Sequence, residues 1–186
     1  MVDADDARIS DETLVGRTAA GDLSAFDRLV KRHQAAVYRF ARVAAPADGE
    51  AEEILRETFL AARRGAARYR DEPSARPWLL ALARQAVTRR HPRAGWEADS
   101  TPLRELARAA GWGCTGAETA PSRAVDAALE ALPPEDREIL TLCDREYFTV
   151  DEAARVTGLS EAAVRTRLHR ARLRLLAAIK EDGRGR

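Results

Sequence analysis

Residues 149–179 constrain the fold more than any other stretch, because they carry the signals of two helices joined by a tight turn. Thr149 and Glu152 have the spacing of a capping box, which predicts that the first helix begins there. Gly158 can adopt the positive φ that ends a helix, and Ser160 is a suitable cap for a second one. The stretch is therefore predicted to form a helix-turn-helix.

The second helix of this motif combines an apolar stripe with a basic outer face. Its apolar residues recur at three- and four-residue spacing and predict one buried stripe of Val164, Leu168, Ala171, Leu175 and Ile179. The outer face is then formed by Arg165, Thr166, His169 and Arg170, with Arg167 and Arg172 on its flanks. A helix fits the DNA major groove, where the guanidinium of Arg can bond O6 and N7 of guanine. This face is a candidate DNA-binding surface, the alternative being an Arg-rich helix that is merely solvated.

The composition predicts an all-α fold. Apolar residues make up 45% of the 186-residue chain but aromatic residues only 5%, a balance typical of small helical bundles. Breaks at Pro and Gly suggest two small helical domains joined by a flexible linker. The expected organisation is an acidic N-terminal segment with a short helix (1–22), a helical domain (23–92), a linker (93–121), the helix-turn-helix domain (122–181) and a tail (182–186).

Capping residues place the helices of the first domain. Ser10 is expected to cap the short helix of the 1–22 segment, and Asp22 is expected to cap the first helix of the domain. A further helix is predicted from about residue 48 to residue 65, and Ser74 or a neighbour is expected to start the next. His33 lies beside the apolar stripe of the second helix with no second ligand in view. It is therefore interpreted as a packing histidine and not as a metal ligand.

Charges are segregated along the chain, although the net charge is only +1. The first part of the third helix is acidic, which is explained either by a solvated helix with a favourable dipole or by a docking surface for a basic partner. The stretch from Arg63 to Arg93 is strongly cationic and contains Tyr69, so it could hold unpaired bases through stacking and phosphate pairing. Trp78 is expected to serve the core rather than to stack on a base.

Several function classes find no support in the sequence. Cys114 and Cys143 are isolated, so neither a disulfide nor a zinc site is expected, and a reducing cytoplasm is the predicted location. No apolar run is long enough for membrane insertion. The phosphate-loop, zinc-protease and nucleophile-elbow motifs are absent and the three His are far apart, so no catalytic residue, metal or cofactor is predicted.

Both domains resemble one family, the bacterial group IV sigma factors of the extracytoplasmic-function type. The run ALEALPPEDREIL, followed by the helix-turn-helix with its RTRLHRAR segment, is similar to sigma region 4. In the first domain, EAEEILRETFL and ARPWLLALARQAV resemble parts of sigma region 2. The two matches occur in the order of the family and have its linker between them.

This resemblance implies a protein that binds core RNA polymerase and directs it to promoter DNA. Whether an anti-sigma factor holds it inactive stays open on the sequence. The implied −35 contacts are Arg165, Thr166, Arg167, His169, Arg170 and Arg172. The implied −10 contacts are Arg68, Tyr69, Arg76, Arg84, Thr88, Arg89 and Arg90. The residues implied to bind the basic coiled coil of the polymerase clamp are Glu52, Glu53, Arg56 and Glu57.

Two other functions stay open on the sequence. A free-standing helix-turn-helix regulator would account for residues 149–179 but would leave the acidic and cationic helices of the first domain without a role. A sigma-derived adaptor would bind polymerase without initiating transcription.

Overall fold

The structure is a computed structural model that describes residues 9–45, 49–69, 74–91 and 122–184. Every regular element in these ranges is a helix, which confirms the all-α prediction. The chain divides into two compact units, the first built mainly from residues 1–94 and the second mainly from residues 95–186. The predicted linker lies outside the described ranges.

The described residues of the first unit form four α-helices and one 3-10 turn. They are α1 (Asp11–Ala19), α2 (Leu23–Ala44), α3 (Ala51–Gly65), the 3-10 turn (Ala66–Arg68) and α4 (Ala75–Arg90). The predicted caps are confirmed: Ser10 Oγ accepts from the backbone N–H of Thr13 at 3.3 Å, and one Asp22 oxygen accepts from the N–H of Ser24 at 2.9 Å. Ser74 Oγ caps α4 by accepting from the N–H of Arg76 at 3.4 Å.

Alanines line much of the core of the first unit. Large side chains such as Leu29, Phe40, Ile54 and Leu79 are fully buried at its centre. Between them the helices meet through the buried alanines Ala25, Ala36, Ala41, Ala62, Ala75, Ala83 and Ala86. Because a methyl group fills little space, α2, α3 and α4 can approach one another closely.

The N-terminal helix α1 is an integral part of the first unit. Leu14 and Val15 of α1 are buried, so the described part of the predicted 1–22 segment packs into the same core. His33 is also buried, with its Nε2 2.7 Å from Oδ2 of Asp11. Arg32 donates to the other oxygen of Asp11 at 2.6 Å. Burial opposes ionisation of Asp11, but the bonds from His33 and Arg32 outweigh it and lower the pKa of this carboxyl. His33 is thus a satisfied packing histidine, as predicted.

In residues 122–184, the described part of the second unit, the structure shows four more α-helices and one π-helical turn. They are α5 (Ser122–Ala131), α6 (Pro134–Leu140), the π turn (Thr141–Arg145), α7 (Val150–Thr157) and α8 (Glu161–Arg184). The regular helix α6 ends at Leu140, and the backbone over Thr141–Arg145 has a different bonding pattern. The N–H of Glu146 bonds to the carbonyl of Thr141 at 2.9 Å, five residues back, which is the π-helical pattern.

Helix α8 packs against both α5 and α6. Ile139 and Leu142 are fully buried. The last part of the predicted stripe is wrong, because Leu175 and Ile179 are only partly covered whereas Leu173 is buried. Two packing partners along one side of α8 shift the buried arc away from the single stripe expected for one partner. None of the helices in the described ranges has the length and apolar character needed to cross a membrane.

Candidate nucleic-acid interface

The turn between α7 and α8 has the geometry of a helix-turn-helix. In the capping box the N–H of Thr149 donates to Glu152 Oε2 at 2.8 Å, and the N–H of Glu152 donates back to Thr149 Oγ1 at 3.2 Å. Gly158 has a φ of 73°, and Ser160 Oγ accepts from the N–H of Ala163 at 3.2 Å. These local bonds fix where both helices begin, and they confirm the predicted caps and turn.

The residues of the basic face of helix α8 differ in their exposure to solvent. Val164, Leu168 and Ala171 are buried, so the residues between them project outward. The predicted −35 residues are either exposed (Arg165, Thr166 and Arg172) or partly exposed (Arg167, His169 and Arg170). The hydroxyl of Thr166 donates to the carbonyl of Ala162 at 3.0 Å, back along its own helix.

Two arginines of this face are bound to carboxylates of their own unit. Arg165 Nη2 lies 2.8 Å from Oε2 of Glu161, one helical turn earlier. Arg172 donates from Nη2 to Asp144 Oδ1 at 2.5 Å and from Nε to Asp144 Oδ2 at 3.1 Å. These bonds to Asp144 outweigh partial burial and raise the pKa of Arg172. The sequence interpretation had not singled out either acid.

A third ion pair anchors α8 internally. Arg174 Nη1 lies 2.5 Å from Oδ2 of Asp136, and the side chain of Asp136 is only 3% exposed. Such a buried pair holds α8 against α6, because removing one partner would leave a charge without compensation in the core.

In the first unit, the predicted −10 residues lie on α4 and on the 3-10 turn before it. Arg68, Thr88 and Arg89 are exposed, whereas Arg76, Arg84 and Arg90 are partly covered. The hydroxyl of Thr88 donates to the carbonyl of Arg84 at 3.0 Å.

Tyr69 was predicted to be an exposed aromatic available for stacking, and this prediction needs correction. Its ring packs on Trp78 with the centroids 5.0 Å apart, and both rings lie against the core cluster around Leu14. One face of Tyr69 is therefore committed to the fold. Trp78 serves the core, as expected, although it is only partly buried.

The acidic helix α3 and the cationic end of α4 are joined by ion pairs. Arg90 Nη2 lies 2.6 Å from Oε1 of Glu57, and Arg90 Nη1 lies 2.7 Å from Oε2 of Glu53. His91 Nε2 lies 2.7 Å from Oε2 of Glu50, beside this pair. The hydrogen bond from Arg90 lowers the pKa of Glu57. Glu52 and Arg56 lie on the exposed side of α3.

The charges of the two units are suited to binding other macromolecules. No group of His, Cys, Asp and Glu side chains that could hold a metal ion occurs among the described residues. What the chain does present is a helix-turn-helix with a basic face and, separately, an Arg-rich helix beside an acidic one. Both are charge patterns for macromolecular partners.

Comparison with known protein families assigns both units. Residues 122–175 match the family described as Sigma-70, region 4, and residues 29–97 match Sigma-70 region 2. The sigma factor SigM of Mycobacterium tuberculosis is 33% identical over 172 residues, which cover 89% of this chain and 83% of SigM. The chain belongs to the ECF RNA polymerase sigma factors. BldN of Streptomyces coelicolor, another ECF sigma factor, is 30% identical and covers 98% of the chain, with 70% of BldN matched.

Solved structures agree with the assignment of this sigma factor. CnrH in complex with the cytosolic domain of CnrY superposes with a TM-score of 0.66 at 28% identity, over 92% of this chain and 98% of CnrH. RpoE of Bartonella quintana, solved with the anti-sigma factor NepR, has the same fold, with a TM-score of 0.63 at 20% identity over 83% of this chain and 96% of RpoE.

The family determines the function. As a sigma factor, the protein binds core RNA polymerase and directs it to promoters through −10 and −35 recognition, which initiates transcription. A free-standing regulator is disfavoured, because that function would not require the region 2 match over residues 29–97. The same match to both regions disfavours an adaptor that does not initiate.

Proposed function

We propose that the exposed face of α8 reads the −35 element. Arg165 and Arg170 bond base edges in the major groove, and Arg172 pairs with a phosphate. The observation that carries this assignment is the exposure of Arg165 and Thr166 directly beside the fully buried Val164, at the start of the second helix of the motif. In helix-turn-helix proteins this part of the recognition helix contacts base edges. The full set of proposed −35 residues is Arg165, Thr166, Arg167, His169, Arg170 and Arg172.

Alanine substitution in the reconstituted holoenzyme tests the −35 assignment. Arg165→Ala or Arg170→Ala should weaken binding to a duplex carrying the −35 element by about 1–3 kcal/mol and reduce discrimination against a mutated element. Arg42→Ala, an exposed arginine on α2 of the first unit, is the matched control and should change neither quantity. Equal affinities of the Arg165 and Arg170 variants and the parent protein for both duplexes would remove these residues from the recognition face.

The second part of the proposal concerns the −10 element. Its proposed contacts are Arg68, Tyr69, Arg76, Arg84, Thr88, Arg89 and Arg90. The exposed arginines pair with phosphates of the separated strands, and the ring of Tyr69 stacks on a base. Arg90 joins them only when phosphates replace its carboxylate partners. Arg89→Ala should lower open-complex formation in a run-off assay relative to Arg42→Ala, and equal run-off yields would contradict the assignment.

The third part is that α3 docks on a basic surface of core polymerase through Glu52, Glu53, Arg56 and Glu57. Charge complementarity supports it, since three of these four side chains are acids. Charge reversal at Glu53 and Glu57 should reduce co-purification with core enzyme, whereas Asp27→Lys, on an exposed part of α2, should not. Thermal melting of each variant separates lost docking from lost folding, and undiminished co-purification of a folded variant would contradict this part.

The last part of the proposal concerns the partners and the cellular location of the protein. Its two macromolecular partners are core polymerase and promoter DNA, so we place it in the cytoplasm and assign it no catalytic role, metal or cofactor. RpoE was solved with the anti-sigma factor NepR and CnrH with the cytosolic domain of CnrY, so an anti-sigma factor is proposed as a third partner. Pull-down from the native cell with the full chain tests for that partner.

A further inference from the structure

The ion pair between Arg172 and Asp144 joins the proposed phosphate-binding arginine to the π turn. Asp144 uses both carboxylate oxygens, one on Nε and the other on Nη2 of Arg172. This edge of the guanidinium is well suited to a phosphate, because Arg binds carboxylates and phosphates with the same two-pronged geometry. A phosphate on this edge and Asp144 therefore exclude each other.

The pair lies in solvent. The side chain of Arg172 is 53% exposed and that of Asp144 is 39% exposed. An ion pair that is so exposed to water is weak. The phosphates of nearby DNA can therefore replace the carboxylate of Asp144 as the partner of Arg172. Arg172 can therefore exchange Asp144 for another anion, because the contact is not part of the buried core.

The neighbouring pair shows what an anchoring contact in this unit looks like. Two residues further along α8, Arg174 binds Asp136, whose side chain is almost completely buried. Within the part of the chain that the structure describes, the carboxylate of Asp144 has no hydrogen bond except those from Arg172. A carboxylate without further support is poorly suited to hold Arg172 in one orientation, but it can compete for the cation.

We propose that Asp144 is an electrostatic competitor of DNA: it occupies Arg172 in the DNA-free protein and so lowers the affinity for duplex DNA of any sequence. The inference rests on the proposed function, in which Arg172 contacts a phosphate. Asp144 thereby reduces sequence-independent binding and leaves base recognition to residues such as Arg165. Arg165 is itself paired with Glu161 in an exposed contact of the same kind.

Salt dependence provides the signature of this competition. When a free arginine reaches a phosphate, condensed cations are released and the affinity falls with increasing salt. If Arg172 must first leave Asp144, the freed carboxylate attracts cations again and offsets part of that release. Replacement of Asp144 should therefore make the plot of log affinity against log salt steeper by up to about one unit.

A double-mutant cycle in the full-length protein tests the proposal. Asp144→Asn, Arg172→Ala and the double variant are titrated against a duplex with the −35 element and a scrambled duplex, at several salt concentrations. Asp144→Asn should tighten binding to both duplexes by about two- to five-fold, the range expected for an exposed ion pair, and should steepen the salt dependence. In the Arg172→Ala background the same substitution should have no effect. Asp151→Asn, an exposed acid on α7, is the charge-matched control.

The outcomes separate this inference from the proposed function. If Arg172→Ala weakens binding but Asp144→Asn weakens it too, Asp144 orients the arginine and the competition is refuted. If Asp144→Asn tightens DNA binding equally with and without Arg172, the effect comes only from the removal of a negative charge. That result would also refute the competition. If Arg172→Ala leaves both affinities unchanged, the phosphate contact assigned to Arg172 fails and the inference fails with it. Because the pair is exposed, the variants should fold, and circular dichroism melting verifies this.

Discussion

The contact of Asp11 with His33 and Arg32 should contribute strongly to the stability of the first unit. Asp11 Oδ2 lies 2.7 Å from Nε2 of the buried His33, and Oδ1 accepts from Arg32 at 2.6 Å. The side chains of Asp11 and His33 are only 16% and 8% exposed. We predict that Asp11→Ala destabilises this unit and loosens α1 first, because the carboxylate links α1 to two residues of α2, His33 and Arg32.

The size of the effect follows from what the substitution leaves behind. His33 Nε2 would lose a charge-assisted partner in a site with little access to water, which costs about 1–3 kcal/mol. Arg32 is 29% exposed and still donates to the carbonyl of Ile9 at 2.9 Å, so its loss is smaller. We therefore expect a total of about 2–3 kcal/mol, a large fraction of the stability of a small domain.

Urea unfolding combined with amide hydrogen exchange measures both the magnitude and its location. Asp11→Ala should lower the unfolding free energy and reduce protection of the amides of α1 and the first half of α2. Asp27→Ala is the matched control, since it removes an acid of α2 whose pair with Lys31 is largely exposed. Its effect should stay below about 0.5 kcal/mol.

The lowered pKa of Asp11 adds a test in acid. Because the folded pKa lies below the ordinary value of 3.8, the stabilisation is present above pH 3.8 and is lost as the pH falls through the folded pKa. The difference between the parent protein and Asp11→Ala should therefore shrink in acid. If Asp11→Ala lowers the unfolding free energy at pH 7 no more than Asp27→Ala does, the proposed stabilising role of Asp11 is refuted.

Three further predictions concern the second unit. Tyr147 is 85% exposed and has a φ of 57°, a backbone conformation that Asn tolerates better than Tyr. Tyr147→Asn should therefore raise the unfolding free energy in urea by about 0.5–1 kcal/mol. A lower unfolding free energy would contradict the idea that the backbone of Tyr147 is strained. Thr149→Ala removes one half of the capping box and should cost about 1 kcal/mol in the same assay, whereas no change would mean that the cap is dispensable. Burial raises the pKa of the Cys143 thiol, so at pH 8 it should react with iodoacetamide more slowly than a short peptide thiol, as read by mass spectrometry; equal rates would contradict that shift.

Local signals explain why most helix starts could be predicted from the sequence. The caps at Ser10, Asp22 and Ser74 and the capping box at Thr149 all act over two or three residues, so the pattern that creates them is visible in the chain itself. The π turn could not be predicted in this way. The apolar spacing of residues 135–145 fits a regular helix equally well, and the difference arises only in the backbone bonding.

Periodicity likewise placed the basic face of α8, but it did not show which cations already have partners. Arg90 pairs with Glu57 across 33 residues, and Arg172 pairs with Asp144 across 28. Such pairs arise from tertiary packing. It joins Arg90 to Glu57, which the sequence interpretation had assigned to separate surfaces, and it gives Arg172 a partner that the interpretation had not singled out. The same holds for Asp11 and His33, where the histidine was identified as a packing residue but its partner was not.

The alanines at the helix contacts of the first unit determine how this protein can change during evolution. A buried Leu or Phe can be exchanged for another large side chain, but Ala41 or Ala83 can only become larger or turn into glycine. Enlargement would wedge neighbouring helices apart at a cost of about 1–3 kcal/mol. We therefore expect substitutions to accumulate on the outer surfaces of the helices. Charged residues there can be exchanged without a change in the spacing of the helix axes.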